Sequence, residues 1–214
     1  MPTAAYPRVR AVVFDVGETL LDEGTEYGTW ADWLGVPRHT FSAMFGAVIA
    51  RGEDYRQTFQ HFRPGFDLPT ERLRREEADL AEHFNEGDLY PDARPSLEKL
   101  KQLGFLIGAA GNQTIRAEQQ LRALNLPVDF IGTSAGWGVE KPSAEFFARI
   151  VEECGCPPEE IAYVGDRFDN DIRPALDTGM VAGSPPTPDA RLVTPGSLGL
   201  TRLEPALWCR EAVY

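Results

Sequence analysis

Short apolar runs, each closed by a turn signal and followed by a helical pattern, constrain the fold of this chain more than any other feature. Arg10-Ala-Val-Val-Phe14, Phe105-Leu-Ile-Gly-Ala-Ala110, Glu160-Ile-Ala-Tyr-Val164 and the shorter Gly179-Met-Val-Ala182 are the clear cases, and Val128-Asp-Phe-Ile131 is a candidate fifth. Continuous apolar runs of this length suit strands buried on both faces, and the helical stretches between them suit crossovers joining parallel neighbours. Helices are expected near 95–103, 114–124, 143–154 and 170–177, with Ser96 and Ser143 as N-caps and Gly104, Gly155 and Gly179 as stops. The expected fold class is therefore α/β, a Rossmann-like parallel sheet covered by helices.

Residues 22–88 break this rhythm. They contain no convincing strand and carry Tyr27, Trp30, Trp33, Phe41, Met44, Phe45, Tyr55, Phe59, Phe62 and Phe66, an aromatic density that needs a core of its own. A small all-helical domain over 22–88 is expected, inserted into an α/β domain made of 1–21 and 89–214. Its last helix, expected over 70–86, would turn Leu73, Leu80 and Phe84 to one side of a charged surface. After 183, Ser184-Pro-Pro-Thr-Pro188 and Thr194-Pro-Gly-Ser197 interrupt any long element.

Composition narrows the function classes. The 214 residues carry 21 Lys plus Arg against 33 Asp plus Glu, a formal charge of −12, which speaks against nucleic acid as a partner because a duplex binder needs a basic stripe to displace counterions. No apolar run approaches the ~18–20 residues needed to cross a bilayer, and residues 1–10 have no signal-peptide character, so no membrane partner is expected and the expected location is the cytoplasm. Cys154, Cys156 and Cys209 are too few for a disulfide scaffold and read as reduced thiols. His39, His61 and His83 lack ligand spacing, and no internal repeat is visible.

In an open parallel sheet the ligand crevice lies outside the carboxyl ends of the strands. Here those ends are polar: Asp15-Val-Gly-Glu-Thr19 after the first run, Gly111-Asn112-Gln113 after the second, Gly165-Asp166-Arg-Phe-Asp169-Asn-Asp171 after the third. Right-handed crossovers bring all three to one edge, placing Asp15 and Asp166 together with Asp171 a helical turn behind. Two like charges ~4 Å apart repel by about 4 kcal/mol at an effective dielectric near 20, so such a cluster calls for a cation. Mg²⁺ suits it, being held by one or two carboxylates plus waters and substrate phosphate oxygens. Asp169 reads as an ordinary helix N-terminal charge. Asn112 also fits a cap for the helix near 114, and Arg116 and Arg167 read as solvated.

These segments together resemble the haloacid dehalogenase-like (HAD) superfamily of Asp-nucleophile phosphohydrolases, over about residues 11–180. Phe14-Asp15-Val16-Gly17-Glu18-Thr19-Leu20 is similar to its first motif, Lys141-Pro142 to its third and Gly165-Asp166-Arg167-Phe168-Asp169-Asn170-Asp171 to its acidic fourth, and Tyr90-Pro91-Asp92-Ala93-Arg94-Pro95 follows the run-up to its second. The resemblance implies a hydrolase acting on a small phosphorylated metabolite. Asp15 would be the nucleophile, Lys141 the neutralising cation, and Asn112, Lys141 and Thr19 the phosphate-binding groups. Mg²⁺ would be held by Asp15, the Gly17 backbone carbonyl and Asp166, with Asp171 in the metal shell. The helical insert corresponds to a substrate-selecting cap, and the oligomeric state stays open between monomer and homodimer.

Two positions depart from that pattern. Gly17 stands where the family's phosphatases carry a second Asp as general acid, and Gly111 stands where a Ser or Thr precedes the Asn. A general acid contributes typically ~10²–10⁴-fold. Glu18 is one residue out of register, and a one-residue shift at a strand end aims a side chain elsewhere. A HAD-fold binding protein with little or no turnover, and a dehalogenase-type displacement at carbon, are the alternatives to a phosphatase.

Overall fold

The computed structural model describes residues 9–184 and 192–193; the expectations for the tail beyond these, and for Cys209, lie outside the described residues. By its internal contacts the chain divides into two compact units, one made of the residues up to Asp22 and from Leu89 onward, the other of Glu23–Asp88.

The first unit is an α/β layer structure. Strands β1 (Ala11–Phe14), β2 (Leu106–Gly111), β3 (Phe130–Thr133), β4 (Ile161–Val164), β5 (Val181–Gly183) and β6 (Leu192–Val193) form one sheet in the order β3-β2-β1-β4-β5-β6. The first five are mutually parallel and β6 pairs antiparallel with β5. β1 and β4 are buried along their whole length, as strands covered on both faces must be. The chain runs outward from β1 through β2 to β3 and then returns to the other side of β1 as β4. The strand order therefore reverses between β1 and β4, and in open parallel sheets the ligand crevice lies at that switch point.

Four helices of the second unit come first in the chain: α1 (Gly24–Leu34), α2 (Arg38–Ala50), α3 (Gln57–Phe62) and α4 (Leu68–Glu77). The first unit adds α5 (Ala93–Gln102), α6 (Ile115–Ala123), the single turn α7 (Ser134–Trp137), α8 (Ala144–Cys154) and α9 (Arg173–Asp177). α8 shows why the sequence folds this way. Ser143 caps it by accepting from the Phe146 amide, Gly155 ends it in the left-handed region, and the adjacent Phe146 and Phe147, with Ile150 one turn on, all go into the core with Val13 and Tyr163. None of the described helices is long and apolar enough to cross a membrane.

The structure corrects several sequence expectations. Ser96 is not an N-cap: α5 begins at Ala93 with Asp92 as the preceding residue, and Pro95 sits inside the first turn, where the missing N–H costs nothing. The expected helix over 170–177 is a π-helical turn at Phe168–Ile172 followed by α9. The helix expected over 70–86 starts earlier and stops at Glu77. Asp79 takes a left-handed φ of 57°, the Leu80 amide reaches back to the Arg75 carbonyl and the Asp79 amide to that of Glu76. That closure exposes the last carbonyls to two amides and ends the helix. Leu73 and Leu80 are exposed, while α4 buries Leu68, Glu71 and Arg75 instead.

The second unit has the aromatic core its composition requires. Trp30, Phe41, Phe59 and Phe66 are buried, with Phe59 edge-on to Trp30 at 5.3 Å and to Phe41 at 5.4 Å between ring centroids. Tyr27, Trp33, Phe45, Tyr55 and Phe62 pack around them half-buried. Edge-to-face pairs of this kind add about 0.5–1.5 kcal/mol each beyond area burial.

Candidate active site

Asp15 is the first residue beyond β1, and its amide donates to the Val164 carbonyl at 2.7 Å, tying it to the end of β4. Asp166 follows β4 by two residues, and Asp171 lies in the π-helical turn beyond it. The carboxylates of Asp15, Asp166 and Asp171 lie within 4.8 Å of one another. Lys141, from the segment between α7 and α8, places its Nζ 2.7 Å from Asp15 Oδ1 and 2.6 Å from Asp171 Oδ1. Asp15, Lys141 and Asp171 are 7, 3 and 0% exposed, and Asp166 opens to solvent.

Three carboxylates thus gather near one buried ammonium, which pairs with Asp15 and Asp171, and the shifts follow from burial first and from that charge imbalance second. Burial pushes the Asp15 carboxyl up to about 8, with Lys141 pulling it down and the charges of Asp171 and Asp166 raising it further. Burial followed by the charge of Asp171 pushes Asp166 up to about 6. For Lys141, burial acts to lower the amine, but the charges of Asp15 and Asp171 outweigh it and hold the group well above the ordinary lysine range. A divalent cation would reverse the logic for the carboxylates by supplying the missing positive charge.

Asn112 does not cap a helix. Thr114 caps α6, accepting from the Ala117 amide. Instead the Asn112 amide donates to the Lys141 carbonyl at 2.9 Å and its oxygen accepts from the Lys141 backbone amide at 2.8 Å. The side chain expected at phosphate is therefore spent, at least in part, on fixing the backbone of Lys141. Thr19 is buried and its hydroxyl has no hydrogen-bond partner. A hydroxyl left so costs about 1–3 kcal/mol, which is offset when a ligand oxygen supplies the missing bond. Gly17 is half-buried in the loop after Asp15. Asp169 pairs with the Arg167 guanidinium at 2.6 Å, outside the carboxylate cluster.

Three contributors escape sequence reasoning. The Arg167 backbone amide donates to Asp171 Oδ2 at 3.0 Å, so Asp171 accepts through both oxygens. Tyr163, which reads as strand core, lies beside Lys141 and donates its hydroxyl to the Ala110 carbonyl at 2.9 Å. Tyr90 donates to Glu18 Oε2 at 2.7 Å. The π turn was the missing signal for the first, because a helix beginning at 170 would not return an amide to Asp171.

Two glycines are explained by close approach. A Cβ at Gly111 would fall 2.5 Å from Asp15 Oδ1, so the absent side chain is the room into which the Asp15 carboxylate leans. At Gly165 a Cβ would fall 2.5 Å from Asp171 Cγ, and Asp171 cannot yield because Lys141 and Arg167 hold both its oxygens. Gly165→Ala is expected to cost about 1–3 kcal/mol through overpacking, read as a lowered urea midpoint at unchanged m-value. An unchanged midpoint would mean the Asp171 clasp is loose.

A cavity of about 490 Å³ lies at the opposite, amino end of β1 and β2, lined by Val9, Arg10, Leu103, Phe105, Cys154 and Cys156. Burial pushes the Cys154 thiol up to about 12, which makes it a poor nucleophile. The carboxylate cluster lies at the other, carboxyl edge of the sheet.

Comparison with known proteins places the chain in a family. A family model for haloacid dehalogenase-like hydrolases matches residues 9–179. A glyceraldehyde 3-phosphate phosphatase from Methanopyrus kandleri is 39% identical over 95 residues, covering 43% of this chain and 41% of that protein; the match thus spans less than half of that relative. A ribulose-1,5-bisphosphate 5-phosphatase from Halopiger xanaduensis is 30% identical over 79% of this chain and 82% of its own. Among solved structures, the magnesium-bound YfnB from Bacillus subtilis overlays with a TM-score of 0.65 at 19% identity, covering 88% of this chain and 93% of that one.

Proposed function

The chain belongs to the haloacid dehalogenase-like hydrolases, and from that premise we propose that it is a Mg²⁺-dependent phosphatase of a small phosphorylated metabolite, with Asp15 as the nucleophile. The observation that carries the proposal is the buried Asp15–Lys141–Asp171 ion cluster at the strand-order reversal, with the Asp166 carboxylate within 4.8 Å of those of Asp15 and Asp171. The phosphatase names of relatives point the same way.

The donor set fits a hard cation: three carboxylates against one ammonium leave negative charge that oxygen-liganded Mg²⁺ would balance. Asp15, Asp166 and the Gly17 backbone carbonyl would hold it, and Asp171, whose two oxygens already accept from Lys141 and Arg167, would order that shell. When bound, the cation supplies charge neutralisation on the phosphoryl oxygens. Asp15 Oδ attacks phosphorus in line; the new O–P bond forms as the bond to the leaving oxygen breaks, and water then cleaves the aspartyl-phosphate to inorganic phosphate and the restored carboxylate. Lys141 neutralises Asp15 and the incoming phosphoryl oxygens, the unpartnered Thr19 hydroxyl donates to one of them, and Asn112 acts by placing Lys141. The helical unit of Glu23–Asp88 would act as the cap that selects the substrate.

The test is hydrolysis of p-nitrophenyl phosphate by the purified protein with Mg²⁺ or with chelator, beside Asp15→Asn. Release that depends on Mg²⁺ and disappears in Asp15→Asn is the expected result. Release equal in the variant would assign the activity elsewhere, and metal-independent turnover of a 2-haloacid would favour displacement at carbon.

A further inference from the structure

We infer that this site favours phosphoesters whose organic group is apolar, and that Phe168 and Ile115 are the side chains of the α/β unit that select it; the inference rests on the phosphatase reading and narrows its substrate class. The exposed large apolar side chains among the described residues are Leu73, Leu80, Leu103, Ile115 and Phe168. Leu73 and Leu80 belong to the helical unit, and Leu103 lines the cavity at the amino end of the strands. Ile115 and Phe168, 51 and 65% exposed, belong to the carboxyl edge. Ile115 is the fourth residue beyond β2 and Phe168 the fourth beyond β4, and these are the two strands that flank β1, beyond whose end Asp15 lies. Apolar residues scattered singly over a surface need no explanation, but two that bracket a nucleophile do.

Chain geometry bounds their distance from the chemistry. Two residues span at most ~7 Å and three at most ~11 Å. Phe168 follows Asp166 by two positions, and Ile115 follows Asn112, which is bonded to the Lys141 backbone, by three. Strand ends with one strand between them lie about 10 Å apart. A phosphoester held at Asp15 and Lys141 therefore has its phosphoryl end fixed by charge and its organic end within reach of both side chains.

Both are carried on fixed backbone. The Arg167 amide donates to Asp171 Oδ2 at 3.0 Å, the Asp171 and Ile172 amides return to the Arg167 carbonyl at 2.9 and 3.2 Å, and the Arg167 guanidinium forks onto Asp169 at 3.2 and 2.6 Å. Phe168 is thus closed in on both sides. Ile115 opens α6, whose first turn is fixed by the Thr114 hydroxyl accepting from the Ala117 amide at 3.0 Å. Anchored side chains lose little freedom when a ligand covers them, so most of the hydrophobic gain is kept. A polyhydroxylated group gains nothing comparable there, because neither side chain replaces the water hydrogen bonds that its hydroxyls would give up.

The experiment uses phosphonates, whose P–C bond replaces the ester bond and removes leaving-group effects. Methyl-, butyl-, 3,4-dihydroxybutyl- and benzylphosphonate are measured as competitive inhibitors of p-nitrophenyl phosphate hydrolysis with Mg²⁺. Ki is expected to fall about tenfold from methyl to benzyl, the effect of covering roughly 50 Å² of apolar surface, and butyl should bind more tightly than its dihydroxylated match. Phe168→Ser should remove most of the benzyl advantage and Ile115→Ser part of it, while Leu103→Ser, at the other edge, should leave it whole. Equal Ki values for methyl and benzyl in the unaltered protein, a tighter dihydroxybutyl compound, or an advantage that survives both Phe168→Ser and Ile115→Ser would overturn the inference while leaving the phosphatase reading in place. A parallel rise of all four constants in those two variants would overturn it as well, since the side chains would then support their loops and not touch the ligand. Absence of Mg²⁺-dependent p-nitrophenol release from the unaltered protein would overturn both.

Discussion

Lys141→Met is expected to cost the protein both its turnover and a large part of its metal-free stability. The ammonium lies 2.7 Å from Asp15 and 2.6 Å from Asp171, with its side chain 1% exposed. Removing it strands two buried carboxylates that already repel each other, and breaking a buried ion pair from one side costs about 3–5 kcal/mol. At 2–4 °C per kcal/mol for a domain of this size, that is roughly 10 °C in Tm measured with chelator present. Methionine keeps most of the stem's packing, so the loss reports charge and not volume. Turnover should fall by about 10²–10³-fold, the usual loss when one transition-state charge donor goes. Because the variant's cluster is more negative, Mg²⁺ should raise its Tm by more than it raises that of the unaltered protein. A variant melting within about 2 °C of the parent in chelator would mean the carboxylates are relieved by something other than Lys141.

The residues of that cluster, with Asn112 behind it, come from four separate stretches of sequence, yet their convergence is legible in advance. Strand ends in a parallel sheet share an edge, so Asp15, Asn112 and Asp166 follow from the strand pattern alone. Lys141 is legible only through the motif it resembles, since nothing in the local pattern separates it from a solvated loop lysine. What the sequence hides is the wiring. Asn112 against Lys141, the Arg167 amide against Asp171 and Tyr90 against Glu18 depend on backbone directions in loops and in a π-helical turn, and no periodicity encodes those. Gly111 and Gly165 are intelligible only once the Asp15 and Asp171 carboxylates are seen to occupy the space of a Cβ.

The fold divides in the same way. Buried strands and the helix Ala144–Cys154 are legible because burial, capping and period agree within a few residues. The helix Leu68–Glu77 is misread because its buried side is charged. Sequence patterning assumes that apolar residues mark the inside, which selects Leu73 and Leu80, whereas the structure exposes both and buries Glu71 and Arg75. The reason is pairing. Glu71 accepts from Trp33 Nε1 at 2.7 Å, and Arg75 stacks 4.0 Å above the Trp30 ring while donating to Glu26 at 2.9 Å and to the Thr29 hydroxyl at 2.6 Å. Aromatic faces and carboxylates make a lodging for a guanidinium that hydropathy cannot register.

That lodging makes Arg75 a residue on which the helical unit depends. Arg75→Met should destabilise it by about 3–5 kcal/mol, since Glu26, only 18% exposed at its side chain, loses the cation that offsets its burial. Burial is already the largest influence on the Glu26 carboxyl, raising it despite Arg75. Lys is not expected to rescue, because a point charge can neither span Glu26 and Thr29 together nor stack flat on Trp30. Removing both charges separates pairing from packing: in Arg75→Met with Glu26→Gln the stranded carboxylate is gone, so stability should return to within about 1–2 kcal/mol of the parent. Trp30 and Trp33 lie in this unit, so urea unfolding followed by tryptophan fluorescence reports on it alongside Trp137 and Trp208 of the rest of the chain. If the double variant is as unstable as Arg75→Met alone, the loss comes from the stacking of Arg75 on Trp30, and the ion pair contributes little.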